Sequence, residues 1–288
     1  MTRATSVTIL FALVACACSS STPSQPAAPA SDAGSAADSE ATETGSQVTL
    51  PTTFGSYVVL GDSISDKGGG AQTGPFYRDL LYQNDDTRYP AWKGLTLKDK
   101  FGVTQYVPKA AGGSVTKDLL QQLGTVPAQL PTPILVTVTS GGNDLSRGLY
   151  NVLFNPPAAE ADAKNAANNV DAFLQSIEDK YPGQVYVLQG DIYDPSGGTG
   201  NFDGCQNIAS VDKRLDQSTF GRWNELLHAA IAKHPSAVLA PLHDTFMGHE
   251  LHASESWFYT DCIHPTTGGQ HQIRRMMWKL LTGQDGPA

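Results

Sequence analysis

Basic side chains are scarce in this sequence: 19 lysines and arginines stand against 28 aspartates and glutamates, the formal charge is −9, and no basic cluster exceeds a pair such as Arg274-Arg275. Without a positive patch the chain has little to offer a phosphate backbone or an anionic lipid surface, so nucleic acid is not an expected partner. Cysteine is equally thin, four in all, and Cys16 and Cys18 fall within the first eighteen residues. Only Cys205 and Cys262 remain, and no metal site is expected from them: neither has a second Cys or a His at ligand spacing apart from His264 beside Cys262. Long hydrophobic runs are missing too, since the apolar stretch from Val7 to Ala15 is too short to span a bilayer as a mature helix. From 19 to 47 no aromatic and no aliphatic larger than Ala occurs. Such a composition cannot bury enough surface to offset its ordering entropy, and it reads as a disordered, flexible tether rich in Ser, Ala and Pro.

What the N-terminus does contain is an address. Arg3 supplies a weak positive n-region ahead of the short apolar stretch, which together read as a signal peptide over residues 1–18. Leu13-Val14-Ala15-Cys16 resembles a bacterial lipobox, in which the cysteine sulfur is acylated and becomes the new N-terminus; Cys18 is the weaker alternative, and an ordinary secretory signal cut a few residues later is the other reading. The protein is expected to be exported, either secreted or held in the cell envelope, with the membrane as partner through a lipid anchor on Cys16. In an exported protein an even pair favours a disulfide between Cys205 and Cys262 over two buried thiols.

Residues 48–288, about 240 in number, suffice for one large core. Short apolar runs at Tyr57–Leu60, Thr104–Val107, Ile134–Thr139, Val185–Leu188 and Ala237–Leu239 read as strands. Between them, helical spacing predicts helices over Ser114–Leu123, Asn165–Tyr181, Val211–Lys233 and Thr266–Leu281. Continuous apolar strands alternating with amphipathic helices predict an α/β fold, a central parallel sheet covered on both faces, with the reactive site beyond the C-terminal ends of the strands.

The strand ends carry chemistry. The first delivers Gly61-Asp62-Ser63, the second Gly112-Gly113-Ser114, the third Gly142-Asn143-Asp144, and Asp261-Cys262-Ile263-His264-Pro265 precedes the last helix. A serine, an amide, permissive glycine loops and an Asp/His pair are the parts that acyl transfer needs. These four blocks, in this order, resemble those of the SGNH (GDSL) hydrolases over residues 61 to 265, whereas the G-x-S-x-G elbow of the α/β-hydrolases is absent around Ser63. The resemblance implies a flavodoxin-like three-layer α/β/α sandwich, a catalytic triad of Ser63, Asp261 and His264, and an oxyanion hole built from the Ser63 and Gly113 backbone N–H groups and the Asn143 amide, with Gly112 as the fallback for Gly113. Residue chemistry agrees, because a serine hydroxyl is too weakly acidic to attack without a base and an imidazole needs an orienting partner. Asp62 and Asp144 are expected to be structural.

Ester hydrolysis through an acyl-enzyme, without cofactor or metal, is the expected activity. Short-chain or O-acetyl carbohydrate esters are the favoured substrates; a lipase or lysophospholipase, an acyltransferase and a silent surface-binding lipoprotein are the alternatives. Phe76, Tyr77, Tyr82, Tyr89 and Trp92 follow the nucleophile and are expected either to form a cleft wall or to pack in the core. His243, His249 and His252 form a loose cluster whose favoured role is to line the site, with metal binding or no role as the alternatives, and His228 and His234 are expected in solvent.

Overall fold

A computed structural model describes residues 48–67, 74–205, 215 and 217–288. The expected signal peptide over 1–18, with Cys16 and Cys18, and the expected tether over 19–47 lie outside the described residues. No helix among the described residues is long and apolar enough to cross a membrane.

Five strands, β1 (Ser56–Gly61), β2 (Gln105–Pro108), β3 (Ile134–Thr139), β4 (Val185–Gly190) and β5 (Ala237–Ala240), form one sheet in the order β2-β1-β3-β4-β5. Every pairing is parallel, with Val58 opposite both Val107 and Val136, and Leu188 opposite Val238. Strands β1 and β3 are buried at every position, as the central strands of a parallel sheet covered on both sides are. The strand period of two splits their side chains between two cores. Val58, Leu60, Val136 and Val138 face one layer, while Tyr57, Val59 and Leu135 face the other.

The first layer is built by α3 (Leu119–Gly124), α6 (Pro156–Lys180) and α7 (Gln217–Ile231), the second by α1 (Tyr77–Tyr82), α2 (Leu97–Lys100) and α9 (Thr267–Thr282); α4 (Gly142–Arg147), α5 (Leu149–Phe154) and α8 (Leu242–Phe246) follow β3 and β5. In α6, Val170, Phe173, Leu174 and Ile177 are all buried, and full burial of each such side chain stabilises by about 1.5–3 kcal/mol. That helix begins nine residues ahead of the expected Asn165, since Pro156 and Pro157 occupy its first turn and small Ala163, Ala166 and Ala167 carry the inward face. Over Thr116–Asp118 the expected helix is a 3-10 turn, with Asp118 accepting from Val115 N–H. Helix α9 starts where Thr266 caps it by accepting from Gly269 N–H and stops at left-handed Gly283.

Candidate active site

All the strands point the same way, so β1, β2 and β3 present the ends that carry the first three blocks at one edge. At Gly61 the chain turns out of β1 with φ +116°, and a Cβ there would lie 2.1 Å from the Thr139 carbonyl oxygen. Only glycine fits that approach. Asp62 N–H then donates to Thr139 O at 2.9 Å, which locks the turn to the end of β3. The Asp62 carboxylate is buried and accepts from Ile64 N–H at 3.0 Å and from Thr139 Oγ1 at 2.8 Å. Burial pushes its pKa up to about 6, against the lowering effect of those bonds and of nearby His264. Asp62 thus shapes the loop that carries Ser63, which is itself largely buried.

Ser63 Oγ lies 2.8 Å from His264 Nε2, and His264 Nδ1 lies 2.6 Å from Asp261 Oδ2. The Asp261 carboxylate also accepts from the backbone N–H groups of Ile263, at 3.0 Å, and His264, at 2.9 Å. Burial raises the pKa of Asp261, but these backbone bonds, the imidazole and the His264 charge outweigh it, and the carboxyl sits below its ordinary value. An ionised Asp261 assigns the proton to Nδ1, which leaves Nε2 as the acceptor for the serine hydroxyl.

The short Asp261–His264 loop is held from three sides. Cys262 has φ +59°, a left-handed conformation rare for a residue with a side chain, and a disulfide joins it to Cys205 in the segment after β4. Tyr193 donates its hydroxyl proton to the Ile263 carbonyl. Tyr259 N–H donates to His264 O at 2.9 Å.

The glycine and asparagine blocks meet beside this trio. Asn143 donates one amide hydrogen to Ser114 O at 2.9 Å, and an asparagine amide has two. Gly113 has φ +78°, and Arg147 donates to its carbonyl at 2.7 Å. Gly112 N–H is already committed to Asp66 Oδ2 at 2.9 Å. Asp144 accepts from Thr116 N–H and Oγ1, at 2.9 and 2.7 Å, and so ties the third block to the second as a structural residue. Buried Gln122, which the sequence does not mark, accepts from Gly61 N–H at 2.7 Å and donates to Gly61 O and Ser114 Oγ, at 2.8 and 3.0 Å.

A cavity of about 260 Å³ opens against Ser63 and Asn143. Its walls are largely apolar, with Leu145, Leu149, Ile192, Phe202, Phe220 and Leu242 among the residues that line it. Asp191 also borders it, with its carboxylate accepting from His243 N–H at 2.8 Å and bonded to His228 at 2.9 Å.

A family model for GDSL-like lipases and acylhydrolases matches residues 59–272. The chain belongs to this family. Ester hydrolysis in general is the activity that membership carries. Among solved structures, the extracellular lipase of Streptomyces rimosus is similar at 22% identity and TM-score 0.51, over 79% of this chain and 98% of that one. A phospholipase A1 from Streptomyces albidoflavus gives the same identity and TM-score, over 80% and 99% of the two chains. An acetylxylan esterase from Geobacillus stearothermophilus is 16% identical with TM-score 0.53, over 80% and 95%. At these identities the likeness is one of fold. No curated protein matches the chain.

In this GDSL-like hydrolase, several side chains lie elsewhere than near the expected cleft. Phe76, Tyr77 and Trp92 are buried, Tyr82 and Tyr89 pack against the α1/α9 core, and none of the five borders the cavity. His249 stacks on Trp257 with ring centroids 3.5 Å apart, His252 is exposed and His243 bonds Ile192 O, so no ring of that trio borders the cavity either. His234, expected in solvent, is buried between Asp171 and Glu178, at 3.0 and 2.9 Å. Among the described residues no three His, Cys, Asp or Glu side chains come together as a metal site.

Proposed function

We propose that the protein is a serine carboxylic ester hydrolase with Ser63 as nucleophile, His264 as general base and Asp261 as the group that orients and stabilises the imidazolium. The observation that carries this reading is the pair of bonds on one imidazole, Nε2 to Ser63 Oγ at 2.8 Å and Nδ1 to Asp261 Oδ2 at 2.6 Å. As Ser63 Oγ attacks the ester carbonyl, its proton passes to Nε2; on collapse of the tetrahedral intermediate that proton leaves with the alcohol, and water repeats the sequence to release the acid. Acyl transfer drawn this way is complete without metal or organic cofactor.

The oxyanion receives the Ser63 and Gly113 backbone N–H groups and the second Asn143 amide hydrogen. Gly113 is favoured over Gly112, whose N–H already serves Asp66. The disulfide and Tyr193 hold the Asp261–His264 loop so that the bonds on both imidazole nitrogens persist between turnovers. The apolar side chains that line the cavity, among them Leu145, Leu149, Ile192, Phe202 and Phe220, favour an acyl group longer than the short-chain or O-acetyl groups expected from the sequence. Export fits the signal-like N-terminus and the extracellular origin of one structural relative.

Hydrolysis of 4-nitrophenyl acetate, butyrate, octanoate and laurate by the wild-type protein and its Ser63→Ala variant tests this. Turnover that vanishes in the variant and rises from acetate to the longer chains is expected. Equal rates in the two proteins would remove the nucleophile assignment, and a maximum at acetate would remove the acyl-chain reading.

A further inference from the structure

We propose that α5 (Leu149–Phe154) is a docking surface for a zwitterionic or uncharged lipid phase, so that the cavity beside Ser63 is loaded directly from an aggregated ester. Three observations converge on this short helix. Tyr150 and Phe154 are 71% and 62% exposed, the two most exposed large apolar side chains among the described residues. They stand four residues apart, on one helical face, with ring centroids 5.2 Å apart. No residue of the helix is buried.

What covers these rings is indicated by the neighbourhood. Leu149, the first residue of the same helix, forms part of the cavity wall, and Leu145 and Ser146 of α4, which also bears Asn143, continue that wall. Leu149 thus links the exposed apolar face of α5 to the apolar cavity, while the nearby charges are tied down, Asp162 by Asn151 at 2.7 Å and Arg147 by the Gly113 carbonyl at 2.7 Å. From Gly148 to Ala159 no side chain carries a charge. With a formal charge of −9 over the whole protein and no cation on this segment, an anionic bilayer is disfavoured and a neutral interface is matched. A tyrosine beside a phenylalanine suits such a boundary, the phenol staying at the polar layer while the phenyl ring enters the apolar one.

The proposal rests on the ester hydrolase reading of Ser63, and the test separates the two. The full chain carrying Cys16→Ser and Cys18→Ser, so that no acyl anchor contributes, is compared with the same protein carrying Tyr150→Ser and Phe154→Ser. Neither aromatic side chain borders the cavity. Cosedimentation with phosphatidylcholine vesicles and hydrolysis of emulsified tributyrin are each expected to fall about tenfold or more in the double variant, the cost of losing roughly 1.4 kcal/mol of interfacial binding. Hydrolysis of monomeric 4-nitrophenyl butyrate stays unchanged. Equal vesicle binding by the two proteins would overturn the proposal, as would a dimer that the double substitution converts to monomer with vesicle binding unaltered, because a second copy would then be what covers the rings. Vesicle binding that differs between proteins that both fail on the soluble ester would support the docking surface and reject the hydrolase reading.

Discussion

Gln122 and Gly61 grip each other through both backbone groups of the glycine: the side-chain carbonyl accepts from Gly61 N–H at 2.7 Å and the amide donates to Gly61 O at 2.8 Å. Ala111 N–H also reaches that carbonyl, at 3.0 Å, so Gln122 matters most to the buried N–H. Gln122→Leu leaves that donor without its partner, at a cost of about 1–3 kcal/mol. Gly61 lies two residues before Ser63, and the same amide touches Ser114 next to Gly113. The variant is therefore expected to lose kcat more than KM, with a lower Tm. Unaltered kinetics in a destabilised protein would reduce Gln122 to a packing residue.

Sequence pattern carried the fold further than it carried the walls of the site. Strand β3 was legible because Ile134–Thr139 is β-branched almost throughout and has no competing helical period. Ser63, Asp261 and His264 could be picked out because their two blocks, one at the end of β1 and one just before the last helix, resemble those of the SGNH hydrolases, and the structure brings those three together. The first nine residues of α6 were not legible, since alanines packing inward leave no large apolar stripe to read. Gln122 was invisible for a related reason: a polar residue in a short helix looks solvated, and only its tertiary partner reveals its burial. The cavity wall is assembled from α4, α5, the segment after β4 and α7, while the aromatics nearest Ser63 in sequence turn into the core. Proximity along the chain was a poor guide to proximity in space.

Two buried groups titrate against each other in mild acid. Asp62 binds its proton more tightly folded than unfolded, with its pKa pushed up to about 6 by burial, so its contribution to stability falls as pH rises from about 4 to 6. His271 runs the other way: burial and the adjacent Arg274 and Arg275 lower its pKa to about 4, so its contribution rises with pH between about 4 and 6.5. Asp62→Asn keeps an acceptor for Ile64 and Thr139 and removes only the first effect. Its Tm is expected to climb more steeply with pH than that of the wild type, with a gain of up to ~3 kcal/mol near neutrality. Parallel Tm curves from pH 4 to 7 would show that Asp62 does not titrate in this window.

The Cys205–Cys262 bond spans 57 residues of sequence. Closing a loop of that size disfavours the unfolded chain by about 4 kcal/mol on the entropic account, and 2–4 kcal/mol is usual. Because Cys262 stands between Asp261 and His264 with a left-handed backbone, its loss should also loosen the imidazole. Cys205→Ser with Cys262→Ser is expected to lower Tm and to reduce kcat with little change in KM. A variant that loses stability while its kcat holds would confine the bond to folding.

Asn143 has two duties, and they can be separated. One amide hydrogen holds Ser114 O, a neutral bond worth about 1 kcal/mol to the fold. The other is directed, on the reading above, at an oxyanion that exists only along the reaction path, so its removal acts on the transition state and hardly on the bound ester. Asn143→Ala should therefore lower kcat by about 10²–10³-fold, leave KM nearly unchanged and depress Tm only modestly. Asn143→Asp discriminates further: its side chain offers acceptors in place of the amide donors and sets a negative charge beside a developing negative charge. Its kcat is expected to fall below that of Asn143→Ala at pH 8, and the gap between the two variants to narrow toward pH 5 as the new carboxyl begins to protonate, while both slow as His264 protonates. A kcat for Asn143→Ala within about threefold of wild type would take Asn143 out of the oxyanion site and leave its role as the tie to Ser114.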